Sequence, residues 1–224
     1  MSVLDDLIGI LVPHDCVGCG AEGHLLCSVC SSRLTPMEPL CYRCQKPSPS
    51  GFTCLNCPSP LRRVLVVTDY SGPAKALIWQ LKLNGAQAAA SVMTLQMAKL
   101  LNDISPNTYL VPVPTATTRA RQRGYDQAKL LAKQLSKRTS LPYLDCLARH
   151  GYTSQHGANR SERLEQLQNS FRIKRQVAGK NILLIDDVIT TGATLETAAL
   201  VLAQKGAQLI QAITFARPTT KRSV

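Results

Sequence analysis

Residues 182–195, from Ile182 to Leu195, constrain this chain most: four apolar residues, two acids, a hydroxyl-rich turn and the start of another apolar period. Four apolar residues in a row, Ile182 to Ile185, suit a strand covered on both faces, as in a parallel sheet. Asp186 and Asp187 then stand at its carboxyl end, the side on which open α/β sheets bind ligands. Leu195, Ala198, Ala199 and Leu202 recur at helical spacing, which predicts a helix from Gly192 to just before Gly206. Free N–H groups at that helix start, with the hydroxyls of Thr190, Thr191 and Thr194, suit a phosphate.

Acids beside a phosphate cradle conflict unless the ligand offers hydroxyls to the acids and phosphate to the turn. A ribose 5-phosphate does both. The stretch resembles the 5-phosphoribosyl 1-pyrophosphate (PRPP) motif of type I phosphoribosyltransferases. That resemblance implies that Asp186 and Asp187 hold the ribose hydroxyls while Thr190, Thr191, Gly192, Ala193 and Thr194 wrap the 5-phosphate.

Four Cys-x-x-Cys pairs crowd the first quarter: Cys16/Cys19, Cys27/Cys30, Cys41/Cys44 and Cys54/Cys57. Two pairs make one tetrahedral thiolate site, so eight cysteines imply two structural zinc ions. Gly18 and Gly20 suit the tight knuckle. Disulfides and redox pairs are the alternatives. Residues 1–15 carry Asp5 and Asp6 without Lys or Arg, unlike a secretory signal, and this favours thiolates and a cytoplasmic chain. Sequential pairing into two ribbons is expected over a cross-braced finger. His14 and His24 are expected bystanders, and Cys146 a small buried hydrophobe.

The 224 residues fit two modules behind a short leader. Leu4, Leu7, Ile8 and Leu11 predict an amphipathic helix over residues 1–12. Residues 13–60, rich in Cys, Pro and Gly, need metal to fold. From 61 to 224 alternating strands and helices predict a parallel α/β sheet. Its expected elements are a strand at Val64–Thr68, a helix through Ala74, Leu77, Ile78 and Leu81, and another through Ala89, Val92, Met93, Met97 and Leu100. A strand at Tyr109–Pro114, pushed by its prolines to an edge or an early exit, and a helix through Ala128, Leu131, Ala132 and Leu135 follow. No apolar stretch approaches a membrane span, so no membrane insertion is expected.

The formal net charge is +12; two zinc ions add four charges and eight thiolates remove eight, leaving +8. Basic clusters include Arg119, Arg121 and Arg123, and Arg172, Lys174 and Arg175. They suit polyphosphate or a nucleic-acid backbone. Aromatic residues are only 4%, with one Trp, so no base-stacking platform is visible.

The order of double zinc module, Val-Pro-Val-Pro strand, Arg123-Gly124-Tyr125-Asp126-Gln127 turn and PRPP motif resembles the ComF/GntX family over nearly the whole chain. In that family, competence-associated and phosphoribosyltransferase-like, the turn usually reads Arg-Gly-Phe-Asn-Gln. Asp126 in place of Asn puts a negative charge near an anion site, so a hydrogen bond within the protein is its easier role. Gln166 likewise stands where Asn is usual.

The resemblance implies a type I phosphoribosyltransferase-like sheet behind an N-terminal double zinc ribbon. It makes Arg119, Arg123, Gln127, Arg149, Gln155 and Arg163 candidates for pyrophosphate and for a closing loop from His150 to Gly157. It also implies Mg²⁺ with PRPP. Two readings follow. One is a phosphoribosyltransferase with an unidentified acceptor, linked to DNA uptake or recombination. The other is a catalytically silent PRPP or nucleotide sensor that binds single-stranded DNA and works with competence and recombination proteins.

Overall fold

The protein is described by a computed structural model covering residues 15–83, 86–115, 124–149 and 170–219. The expected helix at 1–12, Arg119, Arg121, Arg123, the loop from His150 to Gly157, Arg163 and Gln166 lie outside these residues. In chain order the elements are α1 (Ser28–Ser32), β1 (Leu61–Asp69), α2 (Gly72–Lys82), α3 (Ala86–Ala98), β2 (Thr108–Pro112), α4 (Gln127–Thr139), β3 (Leu147–Arg149), β4 (Phe171–Ile173), β5 (Asn181–Val188), α5 (Ala193–Gln204) and β6 (Leu209–Arg217).

Among the described residues, four strands form a parallel sheet in the order β1-β6-β5-β2, so β5 is interior and β2 is at an edge, one of the two outcomes its prolines allowed. The apolar run of β5 is buried throughout. Leu183 and Ile185 join a cluster with Leu77, Ile78 and Leu81 of α2, Met93 and Met97 of α3, and Leu131 and Leu135 of α4. Ile182 and Leu184 pack with Leu195, Ala198, Ala199 and Leu202 of α5. Consecutive residues therefore serve opposite faces, and each fully buried aliphatic side chain contributes roughly 1.5–3 kcal/mol. β3 and β4 form a separate antiparallel pair, with Leu147 opposite Ile173 and Arg149 opposite Phe171. Cys146 is fully buried beside β3, with its thiol pushed up to about 11 chiefly by burial.

Two expected boundaries shift. The helix expected through Leu100 ends as α3 at Ala98, because Leu100 and Leu101 donate to Met97 and Ala98, three residues back, in a tightened terminal turn. The strand expected to Pro114 ends at Pro112, although Val113 still donates to Ile185 at 3.0 Å.

The paired cysteines gather sequentially, Cys16, Cys19, Cys27 and Cys30 in one group and Cys41, Cys44, Cys54 and Cys57 in the other, with all sulfurs of a group within 4.8 Å. Cys19–Cys27 and Cys44–Cys54 sulfurs lie 3.7 Å apart. Four Zn–S bonds of about 2.3 Å give a tetrahedral edge of about 3.8 Å, whereas a disulfide requires about 2.05 Å. The thiols also fit a cation. The N–H of Cys27 holds Cys16 down at about 6, while burial pushes Cys30 up to about 12. Burial opposes ionisation of Cys41, yet the N–H groups of Cys44, Cys54 and Arg43 bring it to about 6. A divalent ion stabilises the thiolates that the protein alone leaves protonated. At Gly18 a Cβ would lie 2.6 Å from Cys30 Sγ, so the first knuckle excludes a side chain there.

Backbone and side-chain hydrogen bonds join this cysteine-rich segment to β1. Thr53 N–H donates to Arg62 O at 2.8 Å, and Thr68 Oγ1 donates to Thr35 O at 2.8 Å. The Arg63 side chain, 6% exposed, reaches Ser50 O and Asp103, each at 2.7 Å. Isolated antiparallel bridges pair Pro36 with Thr68 and Phe52 with Arg63.

Purified protein is expected to carry about two zinc ions per chain. Metal removal should expose residues 15–60 to proteolysis before the sheet domain, because binding there is coupled to folding; unchanged cleavage after verified metal loss refutes that role. Leu77→Ala, at a fully buried α2 position, should cost about 2–5 kcal/mol by urea denaturation.

Candidate functional site

The acids lie among the last three residues of β5, at its carboxyl end as expected, since the strand runs through Val188. Asp186 Oδ1 accepts from Asp187 N–H, and Asp187 Oδ1 accepts from Val188 N–H, both at 2.9 Å. These contacts pin one oxygen of each carboxylate to the backbone. Lys82, at the end of α2, approaches Asp187 Oδ2 at 3.0 Å. That contact is an ion pair without hydrogen-bond geometry, so Oδ2 is buried with no hydrogen-bond donor. Burial first, and the neighbouring Asp187 charge second, push the Asp186 carboxyl well above its usual range. The pair thus combines one acid that resists ionisation with one paired to a lysine.

The turn that follows is shaped by Gly192, the N-cap of α5, at φ +80°. A Cβ there would also meet Tyr42 Cδ2 at 2.8 Å. Thr190, Thr191 and Ala193 are exposed, and Thr194 is half-buried. Thr191 Oγ1 accepts from Ala193 N–H at 3.4 Å, and Gly192 O receives Glu196 N–H at 2.9 Å. This arrangement places hydroxyls and first-turn N–H groups next to the acid pair, a combination for a ligand carrying both hydroxyls and an anion.

The sequence candidates separate in space. Asp186, Asp187 and residues 190–194 form one continuous rim at the carboxyl end of β5. Gln127, 3% exposed at the start of α4, follows the loop at the carboxyl end of neighbouring β2; its Oε1 accepts from Thr115 Oγ1 at 3.1 Å, and its Nε2 is buried without a partner. Arg149 on β3 stacks 5.5 Å over the Phe171 ring. Arg119, Arg123, Gln155 and Arg163 lie outside the described residues.

Asp126 caps α4. Its Oδ1 accepts from Lys129 N–H at 3.1 Å and its Oδ2 from Thr115 N–H at 3.0 Å, so its charge is spent within the protein at a helix N-terminus.

Sequence reasoning missed Lys82, Tyr42, Arg43 and Arg217. Lys82 reads as an ordinary basic residue in a last helical turn, and Tyr42 as a filler between cysteines. Only the fold brings Arg43 to 3.3 Å from Glu196 and Arg217 to 2.9 Å from Tyr42 O.

Residues 120–224 match the Phosphoribosyl transferase domain family, and residues 7–58 match the Double zinc ribbon domain family. The chain is 32% identical over 205 residues to the DNA utilization protein YhgH of Escherichia coli (strain K12), spanning 85% of this chain and 90% of that protein. Competence protein F of Haemophilus influenzae is 29% identical over 216 residues, covering 90% of each. Competence protein ComFC of Bacillus subtilis (strain 168) is 30% identical over 226 residues, covering 84% of this chain and 92% of that protein. With the two cysteine groups and the parallel sheet flanked by helices, these matches show that the chain belongs to the ComF/GntX family of phosphoribosyltransferase-like proteins with an N-terminal double zinc ribbon.

Proposed function

We propose that this chain binds PRPP at the rim formed by Asp186, Asp187 and the 190–194 turn, and acts as a phosphoribosyltransferase on an acceptor connected with DNA uptake. The single observation that carries the reading is the pair of adjacent carboxylates at the end of β5, one oxygen of each pinned to the backbone, next to a helix-capping turn rich in hydroxyls. The ribose hydroxyls donate to the carboxylate oxygens, and the 5-phosphate takes the N–H and Thr groups of the turn. The names of the relatives, DNA utilization protein and Competence protein, support the connection with DNA.

Chemistry at such a rim is substitution at the anomeric carbon. The acceptor's lone pair forms a bond to C1 of the ribose, and the C1–O bond breaks with its electrons leaving on pyrophosphate. The acceptor's proton goes to solvent. Asp186 and Asp187 orient the ribose, and the turn anchors its far end, so the anomeric carbon is held in a fixed direction for attack. Mg²⁺, for which the two carboxylates are hard oxygen donors, would neutralise charge on the pyrophosphate when bound. Arg119, Arg123, Gln127, Arg149, Gln155 and Arg163 are the proposed pyrophosphate and loop contacts. The chain would act in the cytoplasm, where PRPP is made available by metabolism; among the described residues no helix is long and apolar enough to cross a membrane.

Substituting Asp186 and Asp187 with Asn keeps size but removes the carboxyl groups that accept the ribose hydroxyls. Charge-assisted hydrogen bonds contribute about 1.5–3 kcal/mol each, so calorimetric affinity for PRPP with Mg²⁺ should fall at least roughly tenfold. Equal affinity in the wild type and the double variant sinks the reading. Thr191→Ala should weaken binding less, since backbone N–H groups supply part of the cradle. Acceptor-dependent release of pyrophosphate across a panel of bases and nucleosides tests turnover; saturable binding without release favours the sensor.

The acid pair also has a cost to stability with a definite sign. The raised Asp186 carboxyl ionises in the unfolded chain before it does in the folded one, so the native state loses stability as pH climbs from 3.8 through the raised value. Asp186→Asn should therefore melt higher than the wild type at pH 7 without ligand, and the gain should vanish below about pH 4, where both chains are neutral at that position. A lower melting temperature for Asp186→Asn at pH 7 contradicts this account.

A further inference from the structure

The second cysteine group sits against the phosphate turn. We propose that Tyr42, between zinc ligands Cys41 and Cys44, is a positioning residue that holds the 190–194 turn in its binding shape, making the second zinc site a structural part of the phosphate cradle. The ligand half of this inference rests on the PRPP reading above.

Tyr42 is 1% exposed and packs in the cluster that contains Ile189, Leu195 and Ala198. Its ring lies over the bare Cα of Gly192, where a Cβ would come within 2.8 Å of Cδ2 and 3.2 Å of Cε2. The fit is mutual: the turn needs a glycine for its φ of +80°, and the missing side chain is the space the ring fills. Further contacts fix the ring. The Tyr42 hydroxyl lies 2.6 Å from Ser59 Oγ, and Tyr42 O accepts from Arg217 Nη2 at 2.9 Å. Arg217 is 4% exposed at the end of β6, one residue after Ala216, whose carbonyl accepts Ile189 N–H at 3.0 Å. Arg43 reaches Glu196 in the first turn of α5 at 3.3 Å. Residues 42 and 43 thus touch the turn, the helix it opens and the strand end beside it.

Metal fixes the other side of this contact. The Cys41–Cys44 knuckle is closed by Gln45 N–H donating to Cys41 O at 2.8 Å and by Cys41 N–H donating to Lys46 O at 3.0 Å. Four thiolates on one ion lock that knuckle, and Tyr42 has no freedom once its neighbours on both sides are anchored. The first cysteine group serves the opposite face. Val17, Leu25 and Leu26 pack on the cluster of α2, α3 and α4, and Ser31 Oγ accepts from Gln96 of α3 at 3.3 Å. The two sites are therefore not equivalent: one supports the helical face, the other the phosphate turn.

Tyr42→Ala in the full-length, zinc-loaded chain tests this, with zinc content, amide hydrogen exchange over 189–196 and calorimetric PRPP affinity as readouts. The expected result is two retained zinc ions, exchange about tenfold faster in that segment and affinity about tenfold weaker, since small displacements of a binding group carry losses of this order. Tyr42→Phe keeps the ring and loses only the Ser59 contact, so it should restore both. Leu55→Ala, at a 98% exposed position in the same cysteine group, should change neither. If Tyr42→Ala does not fold, Tyr42→Leu is measured with the same expectation. Wild-type affinity in the ring-less variant overturns the proposal, as does loss of zinc from it. A wild-type chain that binds no PRPP brings down the ligand reading instead, and unchanged exchange over 189–196 in Tyr42→Ala then decides against the buttress on its own.

Discussion

Burial of β5 on both faces is the constraint from which the rest follows. Ile182 and Leu184 need α5 on one side, and Leu183 and Ile185 need α2, α3 and α4 on the other, so the strand must be interior. An interior strand that ends in two acids delivers charge to the point where helices and loops part, the one place near the core where water and ligand can reach it. Moving the acids one residue earlier would bury a charge beneath a helix, at a cost no local contact offsets. One residue later they would leave the strand whose ladder fixes their direction.

The site balances conflicting electrostatic demands. Two adjacent carboxylates repel, and the protein answers with Lys82 on one and burial that raises the other above its usual range. The turn that opens α5 carries Thr hydroxyls and N–H groups without an acidic side chain until Glu196. Glu196 in turn is drawn aside by Arg43. The acid pair and the hydroxyl-rich turn are separated along the chain only by Val188 and Ile189.

Much of this was legible in the chain because the signals are local. The apolar run of β5, the period of α5 and the two groups of Cys-x-x-Cys pairs each act over fewer than twenty residues, and each forms where its pattern placed it. Asp126 could be reasoned to an internal hydrogen bond, since a cap acts within three residues. Lys82 and Tyr42 were not legible. Their partners, Asp187 and Gly192, lie more than a hundred residues away, and neither side chain carries a periodic or motif signature of its own. Small end effects, such as the tightened turn that stops α3 before Leu100, depend on hydrogen-bond competition that apolar spacing does not encode.

The bridges from Pro36 to Thr68 and from Phe52 to Arg63 have a consequence for solubility. β1 is an outer strand of the sheet, and its sequence includes Val64, Leu65, Val66 and Val67 in a row. Such a border, uncovered, is a template on which other chains can add strands. The cysteine-rich segment lies along it and takes up part of its backbone hydrogen bonding. Its metals therefore act as guards against self-association: a chain that loses them bares a sticky, β-forming margin while its parallel sheet is still folded.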